Sequence, residues 1–269
     1  MRDFSEQTLT QAVLDRVAHA SNPRTREMLQ GMVRHLHAFV CEFRPTEAEW
    51  AAAIEFLTRT GHMCDERRQE FILLSDTLGV SMMVDTINHG RGGAVTETTV
   101  LGPFYVNGAP AVENGADIAD GLAGEPLFVE GIVRSSNGAV LRDATVDVWQ
   151  SDDDGHYDLQ LAEPGKFFLR GRLRTDALGR FWFWSIMPHS YPIPTDGPVG
   201  ELLAAAGRHA FRPAHVHFMI AAPGHEKLVT HVFVKGDDYL DSDVVFGVKD
   251  SLVTDFEQRT GTVSLAGEQ

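Results

Sequence analysis

Two histidines, His215 and His217, sit two residues apart in "RPAHVHFMI", a stretch from Arg212 to Ile220 that reads as a β-strand. Residues i and i+2 of a strand point to the same face, so both imidazoles can reach one metal ion. An H-x-H pair by itself is equally at home as two packed core side chains. The pair His35 and His37 in "RHLHA" does not offer this geometry. It lies in a helical stretch, where positions two apart diverge by about 200°, and it reads as a surface feature. The usual zinc ligand sets are poorly supplied, because there is no HExxH and no suitably spaced cysteine. Asp152, Asp153 and Asp154 form an acidic run at a strand end. That run reads first as a solvated turn, and second as a source of carboxylates for a zinc or ferrous site.

The tyrosines narrow the chemistry, because there are only four. Tyr157 in "DDDGHYD" follows a strand that ends at Trp149-Gln150, and Tyr191 in "MPHSYPIPTDGPVG" follows the aromatic strand "RFWFW". Both stand at strand exits, where rigid scaffolds carry their sites. Taken singly, each is a packed ring with a hydrogen-bonded hydroxyl. Taken with the two imidazoles they form a different set. Phenolate is a hard anionic oxygen ligand, so two phenolates with two neutral imidazoles would suit ferric iron, with hydroxide balancing the remaining charge. A phenol titrates near about 10 and must fall several units to serve, which only a strongly charged metal readily brings about.

The elements that must position these side chains change style along the chain. Residues 1–90 read as helices: segments near 7–20 and 24–43, then a capping box at Thr46 and Glu49 followed by Trp50, Ile54 and Leu57 at helical spacing, with Gly61 closing that helix. The segment from Asp65 to Gly90 carries Phe71, Leu74 and Leu78 on one stripe, with Gly79 as a point of kinking or close packing. Residues 91–126 are rich in Gly, Pro, Ala and Asn and read as an ordered linker that contributes to the site. From 127 to 269 the period becomes two, in "PLFVEGIVR", "ATVDVWQSD", "KFFLRGRLRTD", "RFWFWSI", "AHVHFMIAA" and "VTHVFVKG". In "ATVDVWQSD", Val146, Val148 and Gln150 oppose Asp147 and Trp149. Strands without alternating helices point to a mainly β fold, an antiparallel β-sandwich catalytic domain behind an N-terminal helical region.

The formal net charge of −15 argues against nucleic acid and against anionic membranes, since both call for a basic face. No apolar run is long enough to span a bilayer, and the N-terminus lacks a signal-like h-region. Cys41 and Cys64 form no framework and read as reduced thiols. A cytoplasmic protein is expected.

Four stretches, "TVLGPFYV" at 99–106, "GHYD" at 155–158, "HSYPIPTDGPVG" at 189–200 and "FRPAHVHFMI" at 211–220, occur in this order. They resemble the intradiol catechol dioxygenases, non-haem Fe(III) enzymes, and the resemblance runs over nearly the whole chain. It implies one Fe(III) per subunit, held by Tyr157, Tyr191, His215 and His217, with Arg212 beside the site. "EFILLSDTLGVSM", "VLGPF" and "DSDVVFGVKDSL" are most similar to the hydroxyquinol 1,2-dioxygenases. That likeness implies a pocket of Leu73, Asp76, Val100, Leu101, Gly102, Pro103, Phe104, Ile193, Pro194, Arg212 and Val245. It also implies an aromatic triol or diol and O2 as substrates, with catechol or chlorocatechol as the alternatives. The family's helical region implies a homodimer through the N-terminal helices, with a phospholipid in the dimer tunnel. Tyr191 and Arg212 are the expected catalytic residues. Asp76 is a carboxylate suited to a third ring hydroxyl, or else an exposed helix acid. His231 departs from the many catechol-type members that carry Gln there. A non-enzymatic β-sandwich binding module is the rival from another class.

Overall fold

The helical spacing of the N-terminal third produces five helices in the computed structural model of the chain. They are α1 (Glu6–Val17), α2 (Pro23–Phe43), α3 (Glu47–His62), α4 (Glu70–Thr77) and α5 (Val80–His89). The structure describes residues 3–66, 68–90, 95–161 and 166–260. Residues 91–94 of the expected linker and 261–269 of the expected β domain lie outside these. By compactness the chain divides after Thr58, into Met1–Thr58 and Arg59–Gln269. The change of sequence pattern near 90 therefore falls inside the second unit, which takes α4 and α5 together with all the strands.

In the first unit, Asn22 caps α2 by accepting a hydrogen bond from the Thr25 N–H at 3.0 Å, with Pro23 in the first turn. His37, expected at the surface, is half-buried and bonds through Nδ1 to Thr10 Oγ1 at 3.0 Å, while His35 is exposed. Met28, Met32, Leu36, Phe39 and Phe43 on α2 form an exposed stripe, as do Trp50, Ile54 and Leu57 on α3. Thr46 and Glu49 cap α3 reciprocally, and the helix continues one residue past Gly61.

In the second unit, Gly79 breaks the expected long helix into α4 and α5. Its φ of +72° lies in the left-handed region that side chains avoid. The remaining elements are β1 (Pro126–Ile132), β2 (Thr145–Trp149), α6 (Asp158–Leu161), β3 (Arg170–Arg174), β4 (Arg180–Ile186) and β5 (Tyr191–Pro192). They continue with α7 (Pro198–Ala205), β6 (Phe211–Arg212), β7 (His215–Ala221), β8 (Leu228–Val234) and β9 (Val253–Thr254). A five-stranded sheet has the order β3-β2-β7-β8-β9, and β1 pairs with β4 and β5 with β6. The expectation of wholly antiparallel pairing is corrected at one edge, where β8 and β9 run parallel. One core cluster joins Leu127, Val133, Phe181 and Phe183 of the β1–β4 region to Val146, Val148, Leu173, Val216 and Phe218 of the larger sheet. Both faces of β2 are buried, since Asp147, expected opposite the core, is covered and paired to Arg172. Among the described residues no helix is long and apolar enough to cross a membrane.

Candidate metal centre

Strand register places the two imidazoles. Trp149 on β2, His217 on β7 and His231 on β8 are direct cross-strand partners, so they form a row over three strands on one face. His215, two residues before His217, shares that face. The register of the short β5–β6 pair sets Tyr191 opposite Arg212. Tyr157 comes from the turn after β2. There Asp152 Oδ1 accepts hydrogen bonds from the N–H groups of Asp154 and His156, closing a tight turn that needs Gly155 at φ +82°. A Cβ on Gly155 would stand 2.5 Å from Tyr191 Cβ, so the glycine lets the two tyrosine-bearing segments meet.

All four side chains are buried: Tyr157, Tyr191, His215 and His217 are exposed by at most 3%. Their polar atoms form a chain. Tyr157 Oη lies 3.1 Å from Tyr191 Oη and 3.0 Å from His217 Nε2, and His217 Nε2 lies 3.0 Å from His215 Nε2. Two donors bound at a right angle to an ion about 2.1 Å away stand about 3.0 Å apart, so this spacing fits a shared metal. The chemistry of the donors fits as well. His215 Nδ1 donates to the Pro213 carbonyl at 2.6 Å, which leaves the Nε2 lone pair facing the cluster. Asp152 and Asp154 remain in their turn and Asp153 pairs with His189 at 2.9 Å, so none of these three carboxylates joins the four.

Burial sets the protonation states. It pushes Tyr157 well above the ordinary phenol value, with Tyr191 adding to the effect. It also raises Tyr191, against the pull of the Arg212 charge. It lowers His215 to about 3, with Arg212 reinforcing, and lowers His217 and His231 well below 6.5. The imidazoles are thus neutral and ready to donate lone pairs, while the phenols need a strong cation to ionise. Arg212 is buried and held by Asp243 through Nε and Nη2, at 3.1 and 3.2 Å, and its Nη1 is 3.2 Å from His215 Nε2. Burial works to raise Asp243, but the adjacent guanidinium outweighs it and holds the carboxyl below its usual range.

The expected pocket residues fall in several places. Phe104 stacks on Tyr157 with ring centroids 4.3 Å apart, and a Cβ on Gly102 would lie 3.5 Å from His217 Cε1. Asp76 is buried on α4 rather than exposed; burial raises its pKa, opposed by a Ser81 hydrogen bond and by the charge of Arg212. The Val245 N–H bonds Asp243 Oδ1, and the Ile193 N–H bonds the Ala210 carbonyl. Leu73 and Val100 are buried, Pro103 and Pro194 half-buried, and Leu101 exposed.

Sequence reasoning missed three supports. Trp149 stacks on His217 at 4.6 Å and 13°. Asp243 anchors Arg212. Asp158, next to Tyr157, makes a buried two-point pair with Arg170 at 2.8 and 2.5 Å. Only the conspicuous "DSDVVFG" around Asp243 offered a signal, and it did not reveal the partner.

Comparison with known proteins gives a consistent picture. A family model described as "Dioxygenase" matches residues 100–267, and one described as "Catechol dioxygenase N terminus" matches 22–95. A 6-chlorohydroxyquinol 1,2-dioxygenase from Cupriavidus pinatubonensis is 52% identical over 98% of this chain and 96% of its own length. A hydroxyquinol 1,2-dioxygenase from Nocardioides simplex is also 52% identical, over 94% of this chain and 86% of its own. The crystal structure of a hydroxyquinol 1,2-dioxygenase from Pseudomonas putida superposes with a TM-score of 0.86 at 51% identity, covering 94% of this chain and 89% of that one.

Proposed function

This chain belongs to the catechol dioxygenase family of intradiol ring-cleaving enzymes, and from that premise we propose that it is a hydroxyquinol 1,2-dioxygenase. It opens benzene-1,2,4-triol between the adjacent hydroxylated carbons, using O2. The product is 3-hydroxy-cis,cis-muconate, which tautomerises to maleylacetate. The observation that carries the reading is the convergence of Tyr157 Oη, Tyr191 Oη, His215 Nε2 and His217 Nε2 in steps of 3.0 to 3.1 Å. It occurs in a chain about half identical to enzymes named for this substrate class.

Those four side chains are the ligands we assign to Fe(III). When bound, ferric iron supplies the Lewis acidity that activates an aromatic diol toward O2. The protein's own groups do the rest. Tyr191 receives a substrate proton at its Oη as general base. It suits that role better than Tyr157, because Arg212 is the foremost influence opposing its burial, through both charge and a hydrogen bond, whereas at Tyr157 the Arg212 charge comes behind the raising effect of Tyr191. Arg212, fixed by Asp243, stabilises negative charge on the bound diol without having to reorganise. Phe104 closes over Tyr157 and excludes water. Asp76 presents a buried carboxyl to the third ring hydroxyl, within a pocket that also draws on Leu73, Val100, Leu101, Gly102, Pro103, Ile193, Pro194 and Val245.

The helices of residues 1–90 are assigned a dimerisation role, which their exposed apolar stripes support. Residues 91–126 are assigned to the site rim and 127–269 to a sandwich-type catalytic domain. No observation supports the expected lipid, and it forms no part of the reading. The free thiols of Cys41 and Cys64 suit a reducing, cytoplasmic setting.

The test is oxygen uptake by the iron-loaded protein with benzene-1,2,4-triol against catechol, alongside a visible spectrum. A red-brown protein with a higher kcat/KM on the triol is expected. A fully active colourless protein would overturn the iron assignment, and faster cleavage of catechol or a chlorocatechol would overturn the substrate.

A further inference from the structure

A metal-bound imidazole uses one nitrogen for the metal, and its other N–H needs an acceptor that fixes the tautomer and the plane of the ring. His215 has one in the Pro213 carbonyl. His217 does not: among the described residues its Nδ1 is buried without a partner. His231, which is wholly buried, has neither nitrogen at strict hydrogen-bond geometry, but the backbone of Val100 lies close enough to act on it as an acceptor. A His231 N–H turned toward that backbone leaves the other nitrogen as an acceptor, and the orphaned His217 Nδ1–H is costly unless it finds one, since a lost partner costs about 1–3 kcal/mol.

The two rings are placed to do so. His217 and His231 are register partners on β7 and β8, with ring centroids 4.0 Å apart and planes at 78°. Trp149 covers His217 from the β2 side, but an indole N–H only donates and cannot serve as acceptor. A nitrogen of each of His215, His217 and His231 lies within 4.8 Å of the others. With ring centroids 4.0 Å apart, a small ring rotation or one water, whose two hydrogen bonds are each about 2.8 Å, brings the His217 Nδ1–H to a His231 nitrogen. Tyr157, Tyr191, His215 and His217 are linked in steps of 3.0 to 3.1 Å in which His231 has no part, so His231 is read as the neighbour of a ligand.

We propose that His231 is a positioning residue, accepting the hydrogen bond of His217 Nδ1–H directly or through one bound water and so orienting a metal ligand. The proposal rests on the assignment of His217 as an iron ligand. A Gln at this position would meet the same need, because a carboxamide oxygen is an acceptor as well. What the site requires is a lone pair, not an imidazole.

The experiment compares the iron-loaded parent with His231→Gln and His231→Leu. It follows iron release to a chelator, together with the visible band that tyrosinate ligands give to ferric iron. The Leu variant is expected to release iron about 10–100-fold faster with a shifted band, and the Gln variant to stay within a few fold of the parent. Parent-like release and spectrum in the Leu variant, or equal loss in both variants, overturns the proposal. If the Leu variant does not fold, nitrogen-15 NMR of the parent loaded with diamagnetic Ga(III) decides. A hydrogen-bonded His217 Nδ1 proton that changes in His231→Gln supports the proposal, and one that does not change overturns it. A parent that takes up no iron and shows no band overturns the metal assignment itself, a result distinct from all of these.

Discussion

Gly155 and Tyr191 are in such close approach that a single carbon added to the glycine would stand 2.5 Å from the tyrosine Cβ. The glycine also sits at φ +82°. Gly155→Ala should therefore separate the Tyr157 turn from β5, at a backbone cost of about 1–3 kcal/mol. Displacements of this kind cost about 100-fold in rate. Iron content, visible band and kcat measured on the folded variant should fall together; an alanine variant with parental colour and turnover would contradict the geometry.

Removing the hydroxyl of Tyr191 tests the base. Tyr191→Phe should bleach or shift the visible band and slow turnover by roughly 100- to 10,000-fold, the range for general acid–base groups. Unchanged turnover would show that another group accepts the substrate proton.

Arg212 and Asp243 should separate stability from chemistry. Arg212→Met alone leaves a carboxylate buried without its cation, at a cost of about 3–5 kcal/mol. Adding Asp243→Leu should recover most of that in a denaturant melt while leaving kcat depressed. Recovery of kcat by the double variant would assign Arg212 a purely structural part.

Acid should weaken the metal-free protein in a defined window. His215, His217 and His231 are held below 6.5, foremost by burial, with His215 at about 3. As pH falls through about 6.5 the unfolded chain binds protons that the folded chain refuses. Stability is thus full above that pH and declines toward the folded value, with a slope approaching about 1.4 kcal/mol per pH unit for each imidazole. Thermal melts of the iron-free protein between about pH 5 and 8 should show the decline, and a flat melting temperature would contradict it.

Asp76 should act on substrate choice. Asp76→Leu is expected to lower kcat/KM for the triol about tenfold, a factor worth about 1.4 kcal/mol, and to change catechol cleavage little. Equal losses on both substrates would remove Asp76 from recognition of the third hydroxyl.

Part of the candidate centre was legible because strand spacing is local in sequence. Two histidines at strand spacing declare a shared face, and two tyrosines just past strand ends mark the segments that approach it, although both rings are buried. What stayed hidden was pairing over distance. Alternation shows that Trp149 and Asp147 point the same way, but not that both faces of β2 are covered. Nor does it show that Asp147 finds Arg172 or that Asp243 reaches back across 31 residues to Arg212. Period-two patterning also does not show strand direction, so the parallel β8–β9 edge could not be foreseen. Gly79 could be marked as a weak point in a helix, but only its positive φ reveals a complete break.

The four ligand-type side chains span 60 residues, from Tyr157 to His217, and arrive from one turn and from two different sheets. No pair of neighbouring segments can assemble the set. Contacts this distant form slowly, after the costly closure of long loops. A chain refolding in the presence of iron should therefore regain its secondary structure first and its colour last, and the colour then serves as a clock for completed folding.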